Sequence, residues 1–441
     1  MAALRALELE PTVDVTMVVA DRYPNFSVCG LPFYVSGEVP DWQALAHRST
    51  EELAGRGIRL LLQHTVTRLD PTTKTATAVD AAGAERLVAY DAVIIATGAR
   101  PRTSRIEGMD LPGVYPLHTM EDSFRVRAHV ETANVERAVV VGTGYIGLEM
   151  ADAFTHRGIR VTLVGRPPTV MPTVDPSLSG VIRAELETHG VEVVPGTEIQ
   201  RASSVDGGLD VHGAGGFSRR AHLVLVAGGV EPNASLAAPA GIATGLRGAI
   251  CVDRRMRTNV PDVLAAGDCV ETWHRVLQRP TYLPLGTTAH KQGRVAGETA
   301  VGRDHEFEGC VGTQVVKVFD LAVARTGLRD DEAQSHGFDP LTVEATPWHH
   351  KVYYPGAHRL HIRVTGDRRT GRLLGAQIVG HWQAEVAKRI DVFATALFHG
   401  MTVEGLNALD LSYTPPMGAP WDAIQEAAQA WVAAAHPGAG A

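Results

Sequence analysis

The feature that most constrains the fold is the segment at residues 136–165, ERAVVVGTGYIGLEMADAFTHRGIRVTLVG. Its pattern predicts an apolar strand, a glycine turn, an amphipathic helix that stops at Gly158, and a second strand, which together form one parallel β-α-β unit. The turn carries Gly142, Gly144 and Gly147 in the spacing G-x-G-x-x-G. Between a strand and a helix this spacing indicates a dinucleotide site, because glycine allows a tight turn and a close approach of the backbone to a pyrophosphate. A glycine-rich turn without a ligand is the alternative, and the placement favours the dinucleotide.

The end of the second strand indicates which dinucleotide binds. A site for NAD usually offers Asp or Glu to the ribose about 20 residues after the glycines. The strand at 161–164 instead ends in Gly165-Arg166. A cation at this place suits a 2′-phosphate, so we predict NADPH, with NADH as the second choice. Arg166 is alternatively a solvated surface arginine.

A second, incomplete unit opens the chain. Residues 2–10 fit a helix and residues 14–20 fit a strand, with no strand before them. Asp21 closes this strand where an acid would accept hydrogen bonds from a ribose, and Arg22 follows it. We therefore expect a second glycine motif upstream, whose backbone amides would hold a second pyrophosphate. We interpret the lack of that strand and motif as a misplaced start of the chain.

Two further turns belong to the incomplete unit. Predicted strands at 92–98 (AVIIATG) and 263–268 (VLAAGD) lie on either side of the complete unit. That order predicts one domain interrupted by another. Asp268 follows Gly267 at the second turn, where its carboxylate would bind a ribityl or ribose hydroxyl, or would merely cap the following segment.

The chain length and a late change of pattern indicate further division. A chain of 441 residues exceeds what one hydrophobic core usually supports. From about residue 310 the pattern becomes strands followed by helices, which is typical of an α+β domain. The predicted strands lie at 315–319, 360–364 and 373–379, and the predicted helices lie at 384–399 and 422–434.

We predict an α/β fold with two Rossmann-like dinucleotide-binding domains, one inserted in the other, and a C-terminal α+β domain. Residues 1–115 and 229–309 would form the interrupted domain, residues 116–228 the inserted one, and residues 310–441 the C-terminal one. A net charge of −8 without a Lys/Arg cluster argues against a nucleic-acid partner. No apolar run approaches the roughly 20 residues of a membrane span, and the first residues are unlike a signal peptide, so we expect no membrane partner and a cytoplasmic location.

The cysteines are few and scattered. There are four, without the spacing of a disulfide framework or a metal site, so we predict no bound metal. A lone cysteine in an apolar stretch is usually buried filler, which is our interpretation of Cys251, Cys269 and Cys310. Cys29 lies downstream of Asp21. A thiolate placed there beside an electron-poor ring would have a depressed pKa and would act as a nucleophile and electron relay.

Cys29 has a glycine after it and no other cysteine within a few residues. Gly30 leaves room for a flat ring or a thiol ligand. A disulfide within the site is excluded by this spacing. We therefore expect Cys29 to form its mixed disulfide with an external thiol.

A colinear set of segments covers nearly the whole chain: NFSVCGLPFY around Cys29, IIATGARPR at 94–102, VGTGYIGLE at 141–149, VAGGVEPN at 226–233, LAAGDC at 264–269, TAHKQGR at 288–294, YYPGA at 353–357 and LSYTPP at 411–416. Together they resemble the pyridine nucleotide-disulfide oxidoreductase superfamily, and within it the coenzyme A-disulfide reductase and NADH oxidase branch. The chain lacks the second redox cysteine and the C-terminal His-Glu pair of the glutathione-reductase branch. It also has Val28 where its own branch usually has Asn.

The resemblance implies two cofactors, FAD and a nicotinamide dinucleotide, and a homodimer formed through the domain after residue 310. FAD would contact Asp21, Thr97, Gly98 and Asp268. The nicotinamide dinucleotide would contact Gly142, Gly144, Tyr145, Ile146, Gly147 and Glu149, with Tyr145 as the gate that covers the flavin. Further cofactor contacts are expected at Arg22, Gly228, Gly267, Gly286, Thr287 and Ala289.

The resemblance also implies how substrate would be bound and protonated. Tyr354 and Tyr413 match tyrosines of the branch that lie near the substrate disulfide, the latter reaching it from the other subunit. A phenol with an ordinary pKa near about 10 is a plausible proton donor to a departing thiolate, although either residue is alternatively a core tyrosine. His290, Arg56 and Arg59 are candidates for binding the phosphates of coenzyme A.

The predicted enzyme passes electrons from NAD(P)H through FAD to Cys29 and reduces a disulfide, persulfide or polysulfide of a small, coenzyme A-like thiol. One alternative is an NADH oxidase or peroxidase that uses O₂ or peroxide, in which Cys29 cycles through a sulfenic acid. An alternative of another class is a flavin-free NAD(P)-binding interaction protein.

Overall fold

The computed structural model describes residues 1–102 and 106–437. Its first elements, in chain order, are α1 (Ala2–Leu9), β1 (Val15–Val19), α2 (Leu31–Ser36), α3 (Thr50–Gly55), β2 (Ile58–Leu62), β3 (His64–Asp70), β4 (Thr75–Asp80), β5 (Glu85–Ala89), β6 (Val93–Ile95) and β7 (Ala99–Pro101). Strand β1 pairs in parallel with β2, and β3, β4 and β5 form an antiparallel sheet. The helix predicted at 2–10 and the strand predicted at 14–20 are confirmed.

The middle of the chain forms a parallel sheet with helices on its faces. Its elements are β8 (Val114–Pro116), α4 (Met120–Thr132), β9 (Arg137–Val141), α5 (Tyr145–His156), β10 (Arg160–Gly165), α6 (Pro176–Thr188), β11 (Glu192–Pro195), β12 (Ile199–Val205), β13 (Gly208–Gly213), β14 (Ser218–Ala221) and β15 (Leu223–Val226). The sheet order is β11-β10-β9-β15-β8, and every pair in it is parallel. The predicted β-α-β unit is confirmed as β9, α5 and β10.

The chain then returns to the first domain. The next elements are β16 (Val230–Pro232), β17 (Val263–Ala265), β18 (Thr272–His274), β19 (Arg279–Thr281) and α7 (Gly286–Ala300). Strand β17 pairs in parallel with β6, and β16 pairs with β7. Strands from both sides of the middle sheet therefore share hydrogen bonds, which confirms that one domain is inserted in the other. The exact bounds of the domains stay a prediction.

The last elements form an antiparallel sheet and its helices. They are β20 (Gln314–Val318), β21 (Leu321–Gly327), α8 (Asp330–Ser335), β22 (Pro340–Ala345), β23 (Leu360–Asp367), β24 (Leu373–His381), α9 (Val386–Phe398), α10 (Val403–Asn407) and α11 (Ala423–Ala435). The sheet order is β20-β21-β24-β23-β22. The α+β pattern that we predicted after residue 310 is confirmed.

Apolar strands explain where the cores lie. Strands β9, β10 and β15 are almost wholly buried, because helices and neighbouring elements cover both faces of a parallel sheet. A second core lies between β23, β24 and the helices α9 and α11. Asp175, at the start of α6, joins the two regions: its carboxylate accepts hydrogen bonds from Arg363 at 2.7 Å and from Gln377 at 2.8 Å.

Among the described residues, no helix combines the length and the apolar character that crossing a bilayer requires. The cytoplasmic location stays a prediction.

Candidate active site

The glycine turn between β9 and α5 is shaped by contacts that only glycine tolerates. Gly142 has a φ of +126°, and a Cβ there would lie 2.2 Å from the carbonyl oxygen of Ala227. A Cβ on Gly147 would lie 1.8 Å from the carbonyl oxygen of Gly142. Helix α5 starts after Gly144 without a side-chain cap, so its first amides are free to bind an anion. These residues fit the pyrophosphate of a dinucleotide.

Arg166 lies directly after β10, at the same edge of the sheet as the glycine turn. Its side chain is about half exposed, and its nearest acidic partner is Glu198, at 3.7 Å between Nη1 and Oε1. Sequence reasoning missed Glu198, because it precedes a different strand, β12. No local pattern could have paired it with Arg166.

The second predicted dinucleotide site lies where β6 and β17 end. The two strands are parallel, so the glycines that follow them, Gly98 (φ +66°) and Gly267 (φ +89°), lie at the same edge. Gln292 accepts a hydrogen bond from the Gly267 amide at 3.0 Å. Its Nε2 is buried, and no group in residues 1–102 or 106–437 accepts a hydrogen bond from it.

Asp268 and this orphaned donor suit a polar ligand. Burial raises the pKa of Asp268, and the charge of His118 acts in the opposite direction. The carbonyl of Asp268 is occupied, because it accepts a hydrogen bond from the hydroxyl of Tyr282 at 2.9 Å. The carboxyl edge of β6 and β17 therefore fits the hydroxyl-bearing chain of a flavin dinucleotide. His118 was missed because it lies two residues after β8, far along the chain from Asp268.

The other predicted flavin contacts are placed as follows. Asp21 follows β1 and accepts a hydrogen bond from the amide of Tyr23 at 2.7 Å, while Arg22 is exposed. The hydroxyl of Thr97 donates to the carbonyl of Asn233 at 2.5 Å. Gly286, Thr287 and Ala289 form the first turn of α7. Their contacts with cofactors remain predictions, as does that of Gly228.

Cys29 lies in a short 3₁₀ turn, Val28–Gly30, that leads into α2. The turn is anchored by the amide of Ser27, which donates to the carbonyl of Leu45 at 2.8 Å. A Cβ on Gly30 would lie 2.4 Å from a terminal methyl of Leu45, so a larger residue there would displace that side chain. Helix α2 is largely buried and packs against α5. The cysteine is thereby fixed to the helix of the dinucleotide turn, and its own side chain is exposed.

Two other predicted site residues, from distant parts of the chain, act electrostatically on the Cys29 thiol. The atoms packed around the thiol raise the pKa of Cys29, and the charges of Glu149 and Asp268 raise it further. Burial, together with the nearby Asp152, raises the pKa of Glu149 to about 7. We predicted a depressed pKa for Cys29. The protein groups alone act in the opposite direction, because they are acidic and partly dehydrate the sulfur.

Tyr145 begins α5, and its hydroxyl accepts a hydrogen bond from Thr173 at 3.2 Å. Burial raises the pKa of Tyr145. Ile146 is partly buried against the main core. The predicted role of Tyr145 as a gate stays a prediction.

The predicted substrate tyrosines, Tyr354 and Tyr413, both lie in exposed segments of the C-terminal domain. Partial dehydration raises the pKa of Tyr353, and the nearby phenol of Tyr413 raises it further. Tyr354 packs edge-on against His350 at 5.6 Å between ring centres, and its role at the substrate stays a prediction, as does that of Tyr413. No hydrogen bond or ring contact within the described residues joins these tyrosines to the Cys29 turn.

The predicted phosphate-binding residues are dispersed. His290 is exposed on α7, and Arg56 is exposed at the end of α3. Arg59 donates to the hydroxyl of Thr16, at 2.9 Å from Nε and 2.7 Å from Nη2. Their contact with coenzyme A stays a prediction.

The fold and the two glycine-lined edges around one cysteine define a dinucleotide-dependent oxidoreductase. The sequence profile of the family described as pyridine nucleotide-disulphide oxidoreductase matches residues 1–293, and the profile of its dimerisation domain matches residues 313–424. The chain therefore belongs to this family, in the coenzyme A-disulfide reductase and NADH oxidase branch. It is an enzyme that uses FAD and NAD(P)H, so the flavin-free alternative is not supported.

Two relatives with sulfur-reducing names are similar to this chain over nearly its whole length. The chain is 34% identical over 433 residues to the NAD(P)H sulfur oxidoreductase (CoA-dependent) of Pyrococcus furiosus, covering 96% of this chain and 94% of the relative. A NAD-dependent persulfide reductase from A. fulgidus superposes with a TM-score of 0.94 at 35% identity, covering 98% of this chain and 81% of that one.

A third similar structure carries an altered cofactor preference. It is an engineered water-forming NADPH oxidase bound to NADPH, with a TM-score of 0.93 at 26% identity, covering 98% of this chain and 96% of that one. It was made from the NADH oxidase of Lactobacillus brevis, and its substitutions include aspartate to alanine and alanine to arginine.

Proposed function

We propose that the protein uses NAD(P)H to reduce a disulfide, persulfide or polysulfide of a small, coenzyme A-like thiol, with Cys29 as the redox-active residue. The observation that carries the proposal is the exposed thiol of Cys29, on a turn whose helix α2 packs against α5 of the nicotinamide turn, with the carboxyl groups of Glu149 and Asp268 near enough to raise its pKa. Relatives that are 34% and 35% identical carry the names of sulfur and persulfide reductases.

Bound FAD supplies two-electron redox chemistry between the nicotinamide and a sulfur centre. Asp21, Gly98, Gly267 and Asp268 would hold it. The thiolate of Cys29 attacks one sulfur of a substrate RSSR, the S–S bond breaks, and RS⁻ leaves and takes a proton. Two electrons and a second proton then convert the mixed disulfide to RSH and free Cys29. The sum is RSSR + NADPH + H⁺ → 2 RSH + NADP⁺.

Glu149 is a candidate for exchanging protons with Cys29. Its pKa of about 7 keeps it partly protonated near neutral pH, and a group with a pKa near the working pH exchanges protons most effectively. Deprotonation of Cys29 beside a neutral carboxyl is easier than beside a charged one. We propose that Glu149 holds a proton while Cys29 is a thiolate.

The purified protein, supplied with FAD, tests this proposal. NADPH consumption is measured with coenzyme A disulfide, coenzyme A persulfide and O₂ as acceptors. We expect fast consumption with at least one sulfur acceptor and slow consumption with O₂. The opposite order would favour the oxidase alternative, in which Cys29 forms a sulfenic acid, and which the likeness to a water-forming oxidase supports.

We infer a preference for NADPH from Arg166. The engineered oxidase supports this preference, since its NADPH-bound form replaces an aspartate and introduces an arginine. The pair Gly165-Arg166 likewise has a cation and no acid. The relative named as NAD-dependent shows that the family also contains the other preference.

Replacement of Arg166 by glutamate is expected to raise the KM for NADPH by about tenfold or more, because it exchanges attraction for repulsion at the 2′-phosphate. The KM for NADH should change much less. Initial rates with both nucleotides measure this. Arg183→Glu is the matched control, since Arg183 is a half-exposed arginine on α6 of the same domain. A wild-type preference for NADH by about tenfold would contradict the inference.

We also propose that the active unit is a homodimer in which Tyr413 completes the partner's sulfur site. The C-terminal domain exposes a group of large apolar side chains: Val352, Tyr353, Tyr354, Tyr413, Met417 and Trp421. Several exposed large apolar side chains on one domain are typical of an interface. The matched dimerisation domain supports the same arrangement.

The loop that carries Tyr413 is held in a defined conformation. The amide of Lys351 donates to the carbonyl of Pro415 at 3.3 Å, which joins it to the YYPGA segment. Buried Arg389 pairs with Asp422 at 3.0 Å and donates to the carbonyl of His349 at 2.8 Å. A rigid loop of this kind can present a phenol to a neighbouring subunit at little entropic cost.

Replacement of Tyr413 by phenylalanine is expected to leave the reduction of flavin by NADPH nearly intact and to slow disulfide turnover by about tenfold or more, because only the second half-reaction needs a proton for the leaving thiolate. Stopped-flow and steady-state rates separate the two steps. Tyr90→Phe is the matched control, since the Tyr90 hydroxyl has no partner among the described residues. Unchanged disulfide turnover in Tyr413→Phe, or a fully active monomer by light scattering, would refute the arrangement.

A further inference from the structure

Strand β10 carries no acid at its end, but the structure places the acid Glu198, from another segment, at the ribose end of the nicotinamide site. Strand β10 ends in Gly165 without an acidic residue. The segment before β12 runs alongside this end: the amide of Thr197 donates to the carbonyl of Gly165 at 2.9 Å, and the amide of Gly196 donates to the carbonyl of Pro167 at 2.8 Å. Two backbone hydrogen bonds therefore fix Glu198 beside Arg166.

The ion pair between Arg166 and Glu198 is weak enough for a bound ligand to replace it. Its atoms are 3.7 Å apart, and the side chains of Arg166 and Glu198 are 55% and 48% exposed. Exposed pairs of this kind contribute little to stability, because water screens the charges. A bound nucleotide can therefore break this ion pair and bind either Arg166 or Glu198 in its place.

A third polar group lies at the same corner. A Cβ on Gly165 would lie 3.0 Å from the hydroxyl oxygen of Thr143 and 2.9 Å from its methyl carbon. This hydroxyl is buried, and nothing within the described ranges bonds to it. The absence of a side chain at Gly165 thus lets Thr143 pack directly against the end of the strand, with its hydroxyl at this corner.

We infer that Glu198 is a specificity-determining residue that allows this site to accept NADH as well as NADPH. With NADH, the Glu198 carboxylate accepts a hydrogen bond from the ribose 2′-hydroxyl, as an acid at the strand end does in an NAD site. With NADPH, Arg166 binds the 2′-phosphate, and Glu198 opposes it by like-charge repulsion. This inference rests on the nicotinamide preference proposed above. It predicts that Glu198 reduces discrimination between the two nucleotides.

The test is equilibrium binding of ADP-ribose and 2′-phospho-ADP-ribose to the purified full-length holoprotein by calorimetry, which does not depend on turnover. Glu198→Gln is expected to tighten binding of the phosphorylated ligand about three- to tenfold and to weaken binding of ADP-ribose about two- to fivefold. The matched control is Glu187→Gln, which removes the same charge from a half-exposed ion pair on α6. It should change neither value.

A second variant separates this inference from the proposal on which it rests. Arg166→Gln should weaken 2′-phospho-ADP-ribose about tenfold or more, and failure to do so would overturn the NADPH preference. If Arg166→Gln behaves as expected while Glu198→Gln shifts neither ligand, or shifts both in the same direction, the role of Glu198 is wrong. Thermal unfolding of Glu198→Gln within about 2 °C of wild type shows that the exposed substitution leaves the fold intact.

Discussion

Replacement of Cys29 by serine is expected to lower NADPH-dependent reduction of a disulfide or persulfide by about 10³-fold or more. A serine hydroxyl cannot form a mixed disulfide or return two electrons to the substrate sulfur. Reduction of the bound flavin by NADPH should continue, because the nicotinamide edge at Gly142 and Gly147 is untouched. The long-wavelength absorbance band of a thiolate held against the flavin should appear on partial reduction of the wild type and be missing in the variant.

Cys251→Ser is the matched control for this experiment. Cys251 is a partly exposed free cysteine that lies after the inserted domain. Partial burial and the acidic Glu271 both raise its pKa, as burial and acidic groups do for Cys29, so the control separates the position of the thiol from its acidity. Full sulfur turnover in Cys29→Ser, or a persistent long-wavelength band, would show that another thiol is the relay.

Replacement of Gly147 by alanine is expected to weaken binding of either nicotinamide nucleotide by about 100-fold or more. The added Cβ would lie 1.8 Å from the carbonyl oxygen of Gly142 and 2.8 Å from its carbonyl carbon. Backbone atoms cannot rotate away as a flexible side chain can, so the turn must open and its amides lose their alignment. Steric overpacking of this kind also lowers the free energy of unfolding by about 1–3 kcal/mol.

Calorimetric titration with ADP-ribose and a thermal unfolding curve measure the two effects of Gly147→Ala. Gly180→Ala is the control, because Gly180 lies within α6 and a Cβ added there would meet no atom within 4 Å beyond the backbone of its own helix. Alanine there should leave binding unchanged and stabilise the fold by about 0.5–1 kcal/mol. Normal nucleotide affinity in Gly147→Ala would disprove the assignment of this turn.

Local sequence determined the elements and the position of each turn. The unit predicted at 136–165 appears as β9, α5 and β10, and the strands and helices predicted after residue 310 appear within a few residues of their expected bounds. The physical reason is that apolar periodicity and glycine conformation act over a few neighbouring residues. The same local signals distinguished Cys29 from the other cysteines.

The sequence alone did not predict which residues, far apart along the chain, lie close together in the folded protein. Nothing in the local pattern indicated that Glu198 lies at the strand end that carries Arg166, or that Tyr353 lies near Tyr413. These pairs depend on which loops the sheets bring to one edge.

The pKa of Cys29 also shows what depends on local sequence and what depends on the tertiary structure. The sequence by itself determined that Cys29 stands alone, beside a glycine, in a dinucleotide-binding oxidoreductase. Only the tertiary structure decided that partial burial and the charges of Glu149 and Asp268 raise its pKa. Coulomb interactions and dehydration depend on distances in space, and residues more than a hundred positions apart acquire those distances only when the chain folds.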